Sequence, residues 1–216
     1  MHDQGALAGI NAKVPPMADL REIPLFPLGV VLFEGGRLPL RIFEPRYLDM
    51  VSERMRENGP FGIVLIRSGV DARVGDDAPG PEIFEVGTEA RVVDFNALDG
   101  GLLGIVVEGG AKFRIHKTWE QGDHLLCGLV ETLPDEPAGT LGEADQPLID
   151  ILKALLKHPM VEKLGLEVDF EDAGAVSRQL AELLPVEPEI KQSLLQLGSP
   201  KERLNELRRL VTRLRG

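Results

Sequence analysis

Residues 23–55 read IPLFPLGVVLFEGGRLPLRIFEPRYLDMVSERM, and this stretch decides the fold of the chain. Its first part consists of short apolar runs broken by proline and glycine, which predicts two or three short strands. Glu44-Pro45 then predicts a helix start, because proline at the first helical position loses no hydrogen bond. Apolar residues at helical spacing follow, and Asn58-Gly59-Pro60 predicts the end of that helix. The stretch carries no nucleophile motif, metal-ligand cluster or phosphate-binding loop, so it indicates a binding surface rather than a catalytic one.

Residues 20–133 are predicted to form a β-rich subdomain around this early helix. The segment 84–95 alternates apolar and polar side chains, as a half-buried strand does. Glycine-rich turns at short intervals favour a small, partly closed barrel. Further strands are predicted at 61–66, 102–107, 112–118 and 125–133, with a loop at 68–81 and turns at Asp99-Gly100-Gly101, Glu108-Gly109-Gly110 and Gln121-Gly122-Asp123.

Residues 145–216 are predicted to form a helical subdomain, after a linker at 134–144 that is rich in proline, glycine and acidic residues. Four amphipathic helices with facing apolar stripes predict a small bundle. Ser199 starts the last helix with a capping-box pattern, and Pro159 is expected to end or kink the first. The fold class is therefore α+β, a mostly antiparallel β-barrel with one early helix followed by a C-terminal helical bundle. The stripes are Leu148, Leu152 and Leu155; Val176, Leu180 and Leu183; Ile190, Leu194 and Leu197; Leu204, Leu207, Val211 and Leu214.

Composition and charge limit the classes of function. The hydrophobic fraction of 43% and charged fraction of 27% are typical of a soluble globular protein. The net charge of −11 disfavours nucleic acid as the main partner, since phosphate binding depends on lysine and arginine. No apolar run is long enough to cross a membrane, and residues 1–19 are expected to be a flexible tail rather than a signal peptide. Cys127 is the single cysteine, which fits a cytoplasmic protein without an internal disulfide.

Four segments together resemble the N-terminal, substrate-binding domain of the Lon family of ATP-dependent proteases. The resemblance implies a PUA-like β-barrel subdomain, a helical subdomain and recognition of polypeptides. It runs from about residue 23 to about residue 210 and depends on the order of the segments. The segments are IPLFPLGVVLFEGGRLPLRIFEPRY (23–47), EIFEVGTEARVVDF (82–95), DGGLLGIVVEGGAKFRI (99–115) and QLAELLPVEPEIKQSLLQLGSPKERLNEL (179–207).

Catalysis is not expected from this sequence. Full Lon proteases continue into an ATPase module and a protease with a Ser–Lys dyad, whereas the printed sequence ends at Gly216. The nearest match to a phosphate loop runs from Gly104 to Gly109, but Gly110 occupies the position where that loop needs lysine. The expectation is a binding module without cofactor or metal, and the sequence does not define its oligomeric state.

The candidate binding surface comprises Phe43, Glu44, Arg46, Tyr47 and Trp119. The first four belong to the segment IFEPRY, which matches a motif of the family, and they could form the rim of a groove for an extended peptide. They also suit a strand-to-helix corner, where Glu44 could cap the helix, Arg46 pair with Glu44, and Tyr47 pack inward. Trp119 lies beside a predicted turn, where it could anchor a partner or cover the mouth of the barrel.

The main hypothesis is a non-catalytic module that recognises unfolded or extended polypeptide segments, or docks onto a protease or chaperone. One alternative is an RNA-binding module, because PUA-like barrels also serve that role. Another is a hydrolase that uses Cys127 and His116, which would be cross-strand neighbours if the turn at 121–123 is tight. In that register His124 is expected opposite Trp119.

Overall fold

The computed structural model of the protein describes residues 20–69, 80–98 and 102–215. The predicted tail at 1–19, most of the predicted loop at 68–81 and the predicted turn at 99–101 lie outside the described residues. The remainder is an α+β fold in which strands come first and helices follow, as predicted. The described strands are β1 (Leu20–Leu28), β2 (Arg37–Ile42), β3 (Phe61–Ser68), β4 (Glu82–Ile83), β5 (Val86–Ala97), β6 (Leu103–Glu120) and β7 (Leu126–Thr132).

The strands form a mostly antiparallel sheet that closes through β1. Around the barrel the order is β1, β7, β6, β5 and β3. Residues 20–24 of β1 pair antiparallel with β7, and residues 25–28 pair parallel with β3. Among the described strands, β2 pairs only with β6 and β4 only with β3, so each leaves one edge without a strand partner.

Helix α1 (Pro45–Glu57) begins and ends where the sequence predicts. Pro45 lies at the first helical position, and Asn58 takes a left-handed conformation with φ of 52° that ends the helix. Tyr47, Met50 and Val51 form the buried face. That face packs onto the barrel interior, where Phe61, Ile105 and Val107 belong to the same apolar cluster.

β6 is one strand of 18 residues, so the predicted turn at Glu108-Gly109-Gly110 is wrong. Gly109 instead brings two backbones together. Its N–H donates to the Gly36 carbonyl at 2.9 Å, and its carbonyl accepts from the Gly35 N–H at 2.9 Å. A Cβ at position 109 would lie 2.1 Å from the Phe33 carbonyl oxygen. The glycine is required by this close approach and not by a reversal of the chain.

The four predicted helices form, and the structure adds a short helix at Pro159–Glu162. Leu152, Val176, Leu180 and Leu207 are fully buried, so the stripes of at least three of the helices have a buried part. Leu214, predicted at the end of the last stripe, is 59% exposed, so its predicted burial is wrong. The first bundle helix ends just before His158-Pro159, and a short helix starts there, as expected for proline. A 3-10 turn (Glu143–Asp145) precedes α2 (Gln146–Leu156), α3 (Pro159–Glu162), α4 (Ala173–Leu183), α5 (Pro188–Leu195) and α6 (Pro200–Arg215).

One apolar cluster joins the helices to the sheet. Val31, Phe33, Leu65 and Val86 from the β-rich part pack with the buried faces of the helices. Because this core is shared, the boundaries proposed for two subdomains, with a linker at 134–144, stay a prediction. The seam between the sheet and the helices runs beside β2, where residues 37–39 and helix residues line the same pocket.

Candidate functional site

The corner between β2 and α1 brings four of the predicted site residues together. Phe43 is 62% exposed, although it follows the buried Ile42. Glu44 occupies the N-cap position, but its side chain makes no capping hydrogen bond, so the predicted capping role is wrong. Its carboxylate pairs with Arg46 at 2.7 Å, which confirms the predicted ion pair.

Tyr47 points into the barrel, as the structural interpretation expected. It is 5% exposed, and its ring stacks on that of Phe26 with the centroids 4.0 Å apart. The Arg46 guanidinium lies 4.7 Å from the centroid of the Tyr47 ring. Arg46 also donates to the main-chain carbonyl of His124 at 2.9 Å, which ties the start of α1 to the turn between β6 and β7. The corner is therefore held in place by packing and by hydrogen bonds.

Trp119 is the fifth predicted site residue, and it lies near the end of β6, just before the turn whose His124 carbonyl accepts from Arg46. It lies on β6 opposite Cys127, half-buried, and it does not line either of the pockets described below. His124 is in the turn, with φ of 65°, so the expected pairing of His124 with Trp119 is wrong.

A small apolar pocket lies directly beside Phe43, and we call it the Phe43 pocket. Its volume is about 80 Å³. Its lining comes from the end of β1, from β2 and from the start of α1, including Tyr47. The lining residues are Phe26, Leu28, Leu40, Arg41, Ile42, Phe43, Glu44 and Tyr47.

A second, larger pocket of about 340 Å³ lies at the seam with the helices, and we call it the Glu182 pocket. The two pockets share no lining residue, but residues 37–39 of the Glu182 pocket directly precede residues 40–44 of the Phe43 pocket in the chain. The two pockets therefore lie in succession along β2, and we call them together the β2 groove. The lining residues of the Glu182 pocket are Val30, Val31, Arg37, Leu38, Pro39, Leu164, Glu182, Leu183, Val186, Pro188 and Lys191.

Glu182 is the unusual charge in this groove. Its Oε2 accepts a hydrogen bond from the Phe33 N–H at 2.7 Å. Burial raises the pKa of its carboxyl group to about 7, even though the Phe33 N–H and the charge of Lys191 act in the opposite direction. Burial also lowers the pKa of Lys191, whose ammonium donates to the main-chain carbonyl of Glu182. A polar group of perturbed pKa thus lies at the end of a mostly apolar groove.

The structure separates the two residues of the hydrolase alternative. Trp119 pairs with Cys127, and a bulge falls between Ile115 and Lys117, so His116 is not opposite Cys127. His116 instead contacts Glu131 at 2.9 Å on the surface. Cys127 is buried, and that burial raises the pKa of its thiol, which disfavours the thiolate needed for attack. The cross-strand pairing of Cys127 and His116 on which the hydrolase alternative depends does not form.

Two further searches of the described residues bear on function. Residues 20–69, 80–98 and 102–215 contain no group of three or more His, Cys, Asp or Glu side chains arranged to hold a metal ion. None of the helices within those ranges is long and apolar enough to cross a membrane.

Sequence reasoning missed most of the groove. Phe26, Leu28, Leu40 and Val31 look like ordinary strand core, and only the fold shows that they face an opening. Glu182 is 149 residues from its partner Phe33, so no local pattern indicates the contact. The one available signal was Phe43, a large apolar residue directly before a helix start.

The chain belongs to the ATP-dependent protease La (LON) substrate-binding domain family, whose sequence model matches residues 22–213. It is 25% identical over 215 residues to the Lon protease of Bacillus thuringiensis (strain Al Hakam), an alignment that covers 94% of this chain and 25% of that protein. It is 28% identical over 210 residues to the Lon protease of Brucella abortus biovar 1 (strain 9-941), covering 94% of this chain and 24% of that protein. The chain thus spans about a quarter of the length of the curated relatives it matches.

Solved structures show the same fold. A crystal structure of a Lon N-terminal domain protein from Xanthomonas campestris aligns with a TM-score of 0.66 and 30% identity, covering 87% of this chain and 96% of that one. The N-terminal domain of a Mycobacterium avium complex Lon protease aligns with a TM-score of 0.57 and 17% identity, with the same coverage. The fold and family implied by the sequence motifs are confirmed.

Proposed function

We propose that this chain binds unfolded or extended polypeptide segments in the β2 groove, with Phe43 as the main apolar contact. The family supports a substrate-binding role, and the chemistry of the groove supports polypeptide as the ligand. In this proposal the chain contributes binding and no chemical step.

The observation that carries the proposal is the exposure of Phe43 beside a preformed apolar pocket. A phenylalanine that is 62% exposed costs free energy in water, and covering it with a ligand recovers that cost. Large aromatic side chains next to pockets are typical anchors of protein interfaces. The pocket offers space for a small aliphatic side chain from the ligand, packed between Leu28 and Leu40.

The rigidity of the corner supports the same function. Pro45 fixes the start of α1, the Glu44–Arg46 pair holds the loop, and Tyr47 stacks on Phe26. Phe43 is therefore presented by a framework that needs little reordering when a ligand arrives. Preorganisation of this kind lowers the entropic cost of binding.

Binding to a permanently unfolded protein tests the proposal. Fluorescence anisotropy of labelled, reduced and carboxymethylated α-lactalbumin should report saturable binding, with native α-lactalbumin as the folded control. Phe43→Ala is expected to weaken the affinity about tenfold, as loss of an aromatic anchor does. Phe95→Ala is the matched control, because Phe95 is 60% exposed but lies on β5, which β6 separates from β2.

The outcomes are distinct. If only Phe43→Ala loses affinity, the result supports binding of the polypeptide in the β2 groove. An equal loss in Phe95→Ala would mean that any exposed aromatic contributes, and it would contradict the assignment of the site. The absence of binding by the wild-type protein would contradict the function itself.

A further inference from the structure

We propose that the β2 groove recognises a bound segment by its side chains and does not add it to the sheet as a new strand, because Pro39 interrupts the open edge of β2. This inference rests on the proposed function, since it specifies how the same groove holds a polypeptide. It also defines the class of ligand: extended apolar segments whose backbone N–H groups are not needed, including segments that contain proline.

The open edge of β2 lies along the groove. Among the described strands, β2 pairs with β6 alone, so its other edge has no strand partner. Residues 37–39 of the strand line the Glu182 pocket, and residues 40–42 line the Phe43 pocket. A segment that extends through both pockets would therefore run beside β2. Open edges are common sites of strand addition, in which the main-chain groups of ligand and edge form a ladder.

The register with β6 shows which main-chain groups of β2 face the open edge. The Gly109 N–H donates to the Gly36 carbonyl at 2.9 Å, so this carbonyl is directed to β6. The pairing then continues without a shift from residue 37 to residue 42. In an antiparallel pair, hydrogen-bonded and non-hydrogen-bonded positions alternate along the strand. The main-chain groups of residues 38, 40 and 42 are therefore directed to β6, and those of residues 37, 39 and 41 face the open edge.

Pro39 lies in the middle of this open edge and has no N–H group. Proline within a sheet is confined to positions where the missing donor faces away from a partner strand, and Pro39 fits this rule. The edge keeps the N–H groups of Arg37 and Arg41, with no donor at the position between them. A ligand added as a strand would leave its carbonyl opposite Pro39 without a partner from β2, which interrupts the ladder.

A second open edge of the sheet is protected in a different way. Beyond its pairing with β3 at residues 88–90, β5 continues with β6 as its described partner. The Leu98 N–H donates to the Leu102 carbonyl at 2.8 Å, so by the same alternation the main-chain groups of Phe95 are directed away from β6. The Phe95 N–H donates instead to the Asp94 carboxylate at 2.8 Å. On both edges, a donor that an added strand needs is absent or already used.

The groove keeps apolar side-chain surface beside the interrupted edge. Leu40 and Ile42 line the Phe43 pocket, and Phe43 itself is 62% exposed. Pro39 and Arg41 are exposed, so the main chain of a ligand beside them stays in contact with water. Binding therefore depends on the side chains that enter the pockets, while the main-chain groups of the ligand keep their hydrogen bonds to water.

This arrangement defines the segments that the groove accepts. Proline has no N–H group and favours an extended conformation, so a site that adds a strand discriminates against proline in its ligand. In the β2 groove, a proline in the ligand costs no hydrogen bond to the edge. The accepted segments are therefore extended and apolar, and proline between their apolar residues is tolerated.

The test uses four short peptides with capped ends, and dissociation constants are measured by fluorescence anisotropy with the full chain. The parent peptide carries one central leucine among small and polar residues. Two derivatives carry N-methyl groups on alternate main-chain nitrogens, one at the odd positions and the other at the even positions. One of the two therefore lacks the donors on whichever side faces β2. In the fourth peptide, serine replaces the leucine.

The expected affinities separate side-chain recognition from strand addition. Both N-methylated peptides are expected to bind the wild-type protein within about threefold of the parent, because no ladder is lost. The serine peptide is expected to bind about tenfold more weakly, since it loses the burial of an aliphatic side chain.

Variants assign the recognition mode to one residue. Pro39→Ala returns an N–H group to the middle of the edge and makes a continuous ladder possible. In this variant the parent peptide is expected to gain about threefold to tenfold in affinity, and one of the two N-methylated peptides is expected not to share the gain. Pro134→Ala is the matched control, because Pro134 is an exposed proline after β7 that lines neither pocket, and it is expected to change none of the affinities.

Several outcomes overturn the inference. A loss of about tenfold or more for either N-methylated peptide on the wild-type protein would show that the ligand pairs with the edge as a strand. Equal affinity for the leucine and serine peptides would exclude side-chain recognition, and an unchanged parent affinity in Pro39→Ala would exclude the role of Pro39. In these cases the proposed polypeptide binding stands. If none of the four peptides binds, both the inference and the proposed function fail.

Discussion

Glu136 and Arg203 form a buried two-point ion pair between the segment after β7 and α6. Arg203 Nη1 donates to Glu136 Oε2 at 2.9 Å, and Nη2 donates to Oε1. Lys112 from β6 donates to the same Oε1 at 2.6 Å. Since Arg203 is 0% exposed, this cluster fastens the final helix to the barrel from inside the protein.

Replacement of Glu136 by glutamine should destabilise the fold strongly. Glu136→Gln leaves the charges of Arg203 and Lys112 buried without their counter-charge, and breaking a buried pair in this way costs about 3 kcal/mol. The free energy of unfolding, measured by urea denaturation, provides the test. Glu143→Gln, at an exposed acid in the 3-10 turn, should change it by less than about 0.5 kcal/mol.

The same carboxyl group should make the protein sensitive to acid. Burial alone would raise the pKa of Glu136, but Arg203 and Lys112 together lower it from 4.5 to about 2. A folded-state pKa below the ordinary value means that the stabilisation is present above about pH 4.5 and is lost as the pH falls through 2. Wild-type stability should therefore fall more steeply in this range than that of Glu136→Gln. If the stability of both proteins falls equally with pH, the carboxylate of Glu136 does not form the described contacts with Arg203 and Lys112.

Glu182 should produce a pH dependence of opposite sign. Burial raises its pKa from 4.5 to about 7, so the folded protein binds this proton more tightly than the unfolded chain does. The stabilisation is fully present below about pH 4.5 and is lost as the pH rises through 7. Relative to wild type, Glu182→Gln should gain stability between about pH 5 and pH 8, as measured by urea unfolding across that range. If the difference in the free energy of unfolding between Glu182→Gln and wild type does not change with pH, the raised pKa of Glu182 is contradicted.

Gly109 should tolerate no side chain. In Gly109→Ala the new Cβ would lie 2.1 Å from the Phe33 carbonyl oxygen, so the two backbones would have to separate and give up two hydrogen bonds. The expected loss in the free energy of unfolding exceeds about 2 kcal/mol. Gly110→Ala is the neighbouring control, because its Cβ would meet Glu89 at an ordinary 3.6 Å. Equal losses in the two variants would contradict the close approach.

Local signals account for what the sequence predicted correctly. Pro45 and Asn58 fix the limits of α1 through their own backbone preferences. The turn near Gln121 was predicted from its glycine and polar residues, although its left-handed residue is His124. The predictions that were wrong depend on contacts between residues that are far apart in the sequence. Gly109 looks like a turn residue until the Phe33 carbonyl is seen against it, and the bulge beside His116 shifts a register that the turn alone suggested.

The candidate site was predicted only in part for the same reason. Phe43, Glu44, Arg46 and Tyr47 are close in sequence, so their neighbourhood followed from one motif. The opposite wall comes from the end of β1, and the acidic end of the groove comes from Glu182 on α4. These contacts form only when the sheet closes and the helices pack onto it.

The central claim, that polypeptide segments bind in the β2 groove, is tested most directly by mapping the contact on the protein. Isotope-labelled protein titrated with reduced, carboxymethylated α-lactalbumin should show amide chemical-shift changes concentrated in residues 26–31 and 37–47, with a smaller set around Glu182. The changes should saturate and should be lost in Phe43→Ala while the rest of the spectrum is retained. Saturable changes confined to other surfaces, such as the exposed side of α6, or no changes at all, would contradict the account.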